Sequence, residues 1–111
     1  MKTGDAKKQG SYIAAIEYAL PARRVTNEEL SELHPAWNME QVVLRTGVKE
    51  RAWCDESETA LDLAEDACRK LIMRTGRGVN DIDALLFCTH SPDYVMPPNA
   101  CLLQDRLGLS K

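Results

Sequence analysis

Residues 60–89 read ALDLAEDACRKLIMRTGRGVNDIDALLFCT, and this segment gives the strongest indication of an α/β fold. From Glu58 to Arg74 the apolar residues recur at the spacing of one helical face, and Gly76 and Gly78 follow as helix-ending residues. ALLFCT, residues 84–89, is apolar throughout, which is typical of a strand in the middle of a parallel sheet. The segment therefore predicts a long helix followed by a buried strand.

The flanking sequence extends this pattern in both directions. SYIAAIEYAL, residues 11–20, is a short apolar run stopped by Pro21, and it predicts another buried strand. Strand, helix and strand in this order predict a right-handed βαβ unit within a mostly parallel sheet flanked by helices. VKERAWC, residues 48–54, alternates in polarity and predicts an exposed or edge strand.

Three further helices are predicted from their end signals. Thr26 with Glu29 forms a capping-box pattern for a helix that ends near His34–Pro35. Asn38 caps MEQVVLRT, which Gly47 ends. Pro97 and Pro98 precede NACLLQDRLG, closed by Gly108. The start of the long helix is assigned to Asp55 with Glu58, or to Ser57.

Composition excludes several classes of protein. A chain of 111 residues with a net charge of −3 fits one small domain and argues against nucleic-acid binding. No apolar run is long enough to span a bilayer, and the polar residues 1–10 predict a disordered leader rather than a secretory signal. We expect residues 11–111 to form a cytoplasmic domain whose four cysteines are reduced core thiols.

Two places in the sequence are candidates for a binding site. Ligands of open α/β sheets bind beyond the carboxyl ends of the strands, which draws attention to the loop after Thr89. That loop could hold a Ser/His/Asp triad, and Cys88 with His90 could form a nucleophile pair or half of a metal site. Both alternatives are less favoured than a core thiol beside a loop imidazole. The second place is a basic patch at RTGVKER, residues 45–51. Arg45 there fits either a phosphate or ordinary surface ion pairs with Glu50 or Asp55.

Five segments together resemble the β-ketoacyl-acyl-carrier-protein synthase III family of the thiolase superfamily. They lie in the family's order at nearly its spacing: YALPARRVTNEEL (18–30), RTGVKER (45–51), ESETALDLAEDAC (56–68), DIDALLFCTHSPDY (81–94) and MPPNACLLQDRLGL (96–109). The resemblance implies that the chain is the N-terminal portion of a thiolase-like α/β domain, with the fold incomplete.

The resemblance also implies a reaction. Family enzymes condense the acyl group of acyl-CoA with malonyl carried on acyl carrier protein, in fatty acid biosynthesis or a related pathway. A cysteine carries the acyl group, a histidine and an asparagine assist the decarboxylation, and no cofactor or metal takes part. The family's nucleophilic cysteine follows the LQxxLG helix and lies beyond Lys111. We therefore expect this chain to be a truncated fragment without catalytic residues or activity of its own.

The resemblance assigns peripheral roles to five residues. Arg45 and Thr46 match the RTG motif, whose arginine helps to bind the nucleotide end of CoA. Gln41 stands where the family has an adenine-stacking tryptophan, and Trp37 is the nearby substitute. His90 lies beside the active-site cavity. Met96, at an expected cis Met96–Pro97 bond, reaches across a homodimer interface into the partner's acyl pocket.

Two other functions stay open from the residues alone. The chain could be a non-catalytic dimerisation or interaction module, because missing strands would leave apolar edges and faces that tend to pair. It could also be a small α/β domain that binds CoA or another nucleotide.

Overall fold

A computed structural model describes residues 10–110. The elements in chain order are β1 (Arg23–Thr26), α1 (Asn27–Leu33), α2 (Met39–Thr46), β2 (Glu50–Trp53), α3 (Ala60–Thr75), a single 3₁₀ turn (Val79–Asp81) and α4 (Asn99–Leu107). The predicted leader, residues 1–10, falls almost wholly outside the described residues. None of the described helices is long and apolar enough to cross a membrane.

The predicted helices are all present, and their ends lie where the capping signals place them except at the start of α3. Thr26 and Glu29 form the reciprocal capping box of α1, and the Asn38 side chain accepts a hydrogen bond from the Gln41 N–H at the start of α2. One predicted cap is wrong. Thr59, rather than Asp55 or Ser57, caps α3, because its hydroxyl accepts from the Asp62 N–H while the Asp62 carboxylate accepts from the Thr59 N–H.

The only sheet among residues 10–110 is a two-stranded antiparallel ribbon, not the mostly parallel sheet that the sequence predicts. β1 pairs with β2 in the register Arg23 to Trp53 and Thr26 to Glu50. The edge strand predicted at residues 48–54 is confirmed as β2, whereas β1 was not predicted. Residues 11–20 and 84–89 form no strand, because a strand needs a hydrogen-bonded neighbour and neither segment has one in the described part.

Residues 84–89 nevertheless show the burial of a strand. Leu85 and Phe87 pack on the core cluster of Leu61, Leu103 and Leu107, which joins α3 to α4. The alternate residue Leu86 is 97% exposed. Period-two burial of this kind is what a strand shows when one face is covered and the other is open.

Residues 11–20 are tied to the C-terminal end of α3. The Arg74 guanidinium donates 2.6 Å to the Glu17 carboxylate and 3.2 Å to the Ile16 carbonyl oxygen. The apolar side chains Tyr12, Ile13 and Ile16 are exposed. This segment therefore follows the helix without the buried position that its apolar sequence predicts.

The cysteines depart from the expected core thiols. All four are free, but Cys88 and Cys101 are exposed, while Cys54 and Cys68 are partly buried. Cys88 points to the open face of residues 84–89, alongside Leu86, because alternate residues of an extended segment share a face. The apolar pattern predicts burial on both faces, whereas the structure covers only the face of Leu85 and Phe87.

The molecule is extended rather than compact. Its radius of gyration is 20.3 Å, whereas a compact domain of about 100 residues has a radius of about 13 Å. The accessible surface is 9598 Å², against roughly 6,000 Å² for a compact monomer of this mass. Residues 10–110 therefore leave much apolar surface open to solvent.

Candidate functional site

The RTG segment forms the turn between α2 and β2. Arg45 lies in the last turn of α2 and is exposed. Gly47 ends the helix in the left-handed conformation, with φ 71°, and its N–H donates 2.8 Å to the Val43 carbonyl oxygen. This helix end is why the motif needs glycine after Thr46, since other residues adopt positive φ at a cost.

The Thr46 hydroxyl shapes this turn from within. It donates 2.6 Å to the Val42 carbonyl oxygen and accepts 3.1 Å from the Val48 N–H. Its single proton is therefore already used, and a ligand could meet Thr46 only through a remaining lone pair. The Arg45 guanidinium has no carboxylate partner among residues 10–110, so the predicted surface pairs with Glu50 or Asp55 are not formed.

Asn27, a residue that the sequence analysis did not select, supports the same turn. It is 6% exposed. Its backbone N–H donates 3.1 Å to the Lys49 carbonyl oxygen, and its Nδ2 donates 3.0 Å to the Val48 carbonyl oxygen. Its Oδ1 accepts 2.6 Å from Arg51 Nη2. The partners are mostly backbone groups, so residue types alone carry little signal for this role.

Trp37 lies in the connection between α1 and α2. Its ring stacks on His34, with centroids 4.1 Å apart and planes inclined by 16°. Trp37 is 53% exposed, so much of the ring stays open to solvent. An exposed aromatic face of this kind can stack on a base.

A cavity of about 570 Å³ lies between the start of α1 and α2, next to Gln41. Neither Arg45 nor Trp37 lines it, whereas Glu28 and Glu40 do. Backbone N–H groups at the start of α1, followed by the Thr26 hydroxyl, lower the pKa of Glu28 and keep it negative. The cavity is therefore unfavourable for a phosphate, and an anion is better placed at Arg45.

The loop after residue 89 holds the other candidates. His90 and Met96 are exposed, and the predicted cis bond between Met96 and Pro97 is present. Asp93 and Asn99 close the loop with two reciprocal hydrogen bonds of 3.0 Å, and Asn99 is 3% exposed. A cleft of about 360 Å³ beside the loop is lined by Phe87, Thr89, Pro92, Tyr94, Val95, Pro98, Asn99 and Ala100.

The structure thus distributes the candidate residues over two places. Arg45 and Thr46 share the turn after α2, and Trp37 precedes the same helix. His90 and Met96 lie on the 90–98 loop, and neither lines the cleft beside it. The described residues contain no group of three His, Cys, Asp or Glu side chains placed for a metal ion.

Two cysteine thiols, Cys54 and Cys68, have a perturbed pKa, and in both it is raised. Burial, followed by the negative charge of Glu58, raises the pKa of Cys54, and burial raises the pKa of Cys68. A nucleophilic cysteine needs the opposite shift. Neither Cys54 nor Cys68 shows that lowering, whereas the exposed Arg45 can meet an anionic ligand.

The chain is similar in sequence to known acyl-carrier-protein synthases. No family model matches the chain. The chain is 37% identical over 97 residues to beta-ketoacyl-[acyl-carrier-protein] synthase III 2 of Halalkalibacterium halodurans, which covers 87% of this chain and 29% of that protein. It is 40% identical over 91 residues to the synthase III of Thiobacillus denitrificans, covering 82% of this chain and 28% of that protein.

Solved structures agree with the sequence matches. The crystal structure of a 3-oxoacyl-(acyl-carrier protein) synthase from Burkholderia xenovorans superimposes with a TM-score of 0.83 at 35% identity. That match covers 92% of this chain and 29% of the crystallised chain. The chain therefore spans less than a third of the length of the proteins it resembles.

Proposed function

We propose that this chain, which belongs as a segment to the β-ketoacyl-[acyl-carrier-protein] synthase III family, is the N-terminal part of a condensing acyltransferase. Its α/β structure is part of the thiolase-like fold of these synthases. The proposed reaction is the decarboxylative condensation of acyl-CoA with malonyl on acyl carrier protein, in fatty acid biosynthesis or a related pathway.

The observation that carries the proposal is the RTG turn with its exposed Arg45, which has no ion-pair partner among residues 10–110. A guanidinium presents several donors in a planar fork that matches phosphate oxygens. No described carboxylate competes for Arg45, and its turn is fixed by hydrogen bonds on both sides. We therefore assign Arg45 to the phosphates of CoA, with Thr46 shaping the turn and Trp37 as a neighbouring stacking surface.

In the proposed enzyme, this segment and the rest of the chain have different roles. The segment contributes a CoA-binding surface and the 90–98 loop, on which His90 borders the active-site cavity. Met96, exposed at the cis bond, meets the acyl pocket of a second subunit. The nucleophilic cysteine comes from elsewhere in the enzyme, so we expect the 111-residue chain by itself to be inactive. The assembly is a cytoplasmic homodimer whose partners are acyl-CoA and acyl carrier protein, without a nucleic-acid or membrane partner.

The test is an assay of the complete gene product that contains these residues, with the 111-residue chain assayed beside it. We expect condensation of acyl-CoA with malonyl-acyl carrier protein only in the complete product. Arg45→Ala should raise the KM for acyl-CoA about tenfold, the effect of losing one charge-assisted contact, with little change in kcat.

Arg77→Ala is the matched control, because Arg77 is also an exposed arginine just beyond a helix end. It should leave the KM unchanged. Equal KM values for Arg45→Ala and Arg77→Ala would contradict the assignment of Arg45. A complete product without condensation activity would contradict the proposed reaction.

CoA binding without condensation is the second candidate, favoured by the same exposed Arg45. Calorimetry of the 111-residue chain with CoA separates it from the first. Binding of CoA, combined with an inactive complete gene product, would support a binding domain instead of an enzyme segment.

A further inference from the structure

We propose that Asn27 is a positioning residue that, together with Arg51, holds the RTG turn in the conformation that presents Arg45 to an anionic ligand. The inference rests on the proposed function, because Arg45 is the group that meets the ligand. Asn27 itself touches no ligand in this arrangement. Its effect is transmitted through the backbone of residues 46–49.

The first observation is the set of partners that Asn27 selects. Its backbone N–H and its Nδ2 donate to the carbonyl oxygens of Lys49 and Val48, at 3.1 and 3.0 Å. Both carbonyls lie immediately after the RTG motif and more than twenty residues away along the chain. Asn27 is the first residue of α1, where the backbone N–H has no acceptor within the helix. These bonds instead fasten the start of α1 to the turn.

The second observation is that the other side of the asparagine is fixed as well. Arg51 Nη2 donates 2.6 Å to Asn27 Oδ1, while Nη1 lies 3.4 Å from the Val25 carbonyl oxygen. Val25 and Arg51 are partners in the β1–β2 register. The guanidinium therefore orients the amide so that Nδ2, rather than Oδ1, faces the Val48 carbonyl.

The third observation is that Arg45 lies at the other end of the same turn. Thr46 and Gly47 close the turn from the helix side through the Val42 and Val43 carbonyls. Asn27 closes it from the strand side. With both sides fixed, the direction in which the backbone leaves α2 at Arg45 is set, and a binding group held in place loses less entropy when a ligand binds.

Asn27→Asp removes one hydrogen bond of the side chain and keeps the other. The aspartate keeps an acceptor for Arg51 but loses the Nδ2 donor, and it places a negative oxygen against the Val48 carbonyl. Asn38→Asp is the matched control, because Asn38 acts only as an acceptor at the start of α2, and aspartate caps helices equally well. Both variants replace a neutral amide by a carboxylate at the start of a helix.

The first measurement is hydrogen exchange in the complete gene product. Asn27→Asp should speed exchange of the Gly47 and Val48 amides about tenfold or more, and Asn38→Asp should not. If Asn27→Asp fails to fold, Arg51→Lys is measured instead. The lysine ammonium lacks the planar guanidinium that donates to both Asn27 Oδ1 and the Val25 carbonyl oxygen. Unchanged exchange at Gly47 and Val48 in the folded variant would overturn the inference.

The second measurement is a double-mutant cycle on CoA affinity, with Arg45→Ala as the other mutation. Asn27→Asp should weaken CoA binding about tenfold when Arg45 is present and less than about twofold when it is absent. Equal losses in both backgrounds would show a role in stability alone and overturn the inference. If the unmutated protein bound no CoA, the proposed function would fall, and the exchange measurement would still decide whether Asn27 holds the turn.

Discussion

At the start of α3, the carboxylate of Asp62 serves two elements at once. Its Oδ2 accepts 2.9 Å from the Thr59 N–H, which completes the helix cap, and its Oδ1 accepts 2.7 Å from Arg106 Nη1 of α4. Arg106 also lies 3.1 Å from the Glu65 carboxylate. The Arg106 hydrogen bond, followed by the Thr59 backbone bond, lowers the pKa of Asp62. One ionised side chain thus links the cap of α3 to the packing of α4.

The lowered pKa makes stability depend on pH in a defined direction. Because the folded state prefers the ionised carboxyl, its contribution is present above the unfolded pKa of about 3.9 and is lost as the pH falls through the folded value. We expect Asp62→Asn and Arg106→Met each to lower the urea midpoint at pH 7 and to flatten its fall below about pH 4. The effect should be modest and should weaken in salt, because the pair is partly exposed.

Urea unfolding at several pH values checks this prediction. Arg77→Met removes another exposed arginine, one that forms no ion pair within residues 10–110, and it should leave the profile unchanged. A profile for Asp62→Asn that matched the unmutated protein at every pH would show that Asp62 contributes no such linkage.

The sequence could select Arg45 as a candidate site residue, but it could not predict that Asn27 supports the turn that carries it. Arg45 and Thr46 belong to a contiguous motif, so sequence alone selects them as candidates, and their role stays a prediction. The role of Asn27 depends on the carbonyls of Val48 and Lys49, and every residue type carries the same carbonyl. Only the pairing of β1 with β2 brings these groups together, and β1 itself was not predicted.

At the scale of elements, every predicted helix formed from its local signals, whereas only one of the three predicted strands, at residues 48–54, formed. Caps such as Thr26, Asn38 and Gly108 act within one turn, so the sequence around each helix contains the information that ends it. A strand depends on a partner from elsewhere in the chain. ALLFCT has the pattern of a central strand, yet among residues 10–110 no neighbour pairs with it. Its alternation shows in burial alone.

The end of α2 provides a test of an element boundary. A Cβ on Gly47 would meet no atom within 4 Å, so the cost of Gly47→Ala is the left-handed backbone alone. We expect a loss of about 1 kcal/mol in unfolding free energy for Gly47→Ala, and a smaller loss for Gly47→Asn, because asparagine tolerates this conformation. Thermal unfolding of the variants measures both.

Gly78→Ala is the control for this prediction. Gly78 has φ −78°, and an added Cβ would make only ordinary contact with the Asp81 side chain at 3.5 Å. It should cost little. A loss at Gly47→Ala no greater than that at Gly78→Ala would show that the turn relaxes to another conformation.

For the whole molecule, the open apolar surface is the dominant feature. Leu86 and Val95 are almost fully exposed, and Tyr12, Ile13 and Met96 are largely so. Apolar surface on this scale drives association when nothing covers it. The extended shape and the exposed face of residues 84–89 therefore both favour association of the isolated chain with other copies.

We expect the 111-residue chain to self-associate at micromolar concentration. Leu86→Glu should shift it toward monomer, because the charge is placed on the open face of residues 84–89. Leu33→Glu, at an exposed position on α1, is the matched control and should have less effect. Sedimentation velocity distinguishes these states, and a monomeric unmutated chain would contradict the prediction.

The two-stranded ribbon has a consequence for how the chain acquires its structure in time. β1 and β2 close one stretch of chain, residues 23–53, with α1 and α2 inside it. Contacts that are near in sequence form faster than distant ones. The ribbon and the RTG turn can therefore form early in folding, before the more distant contacts that join α3 to α4.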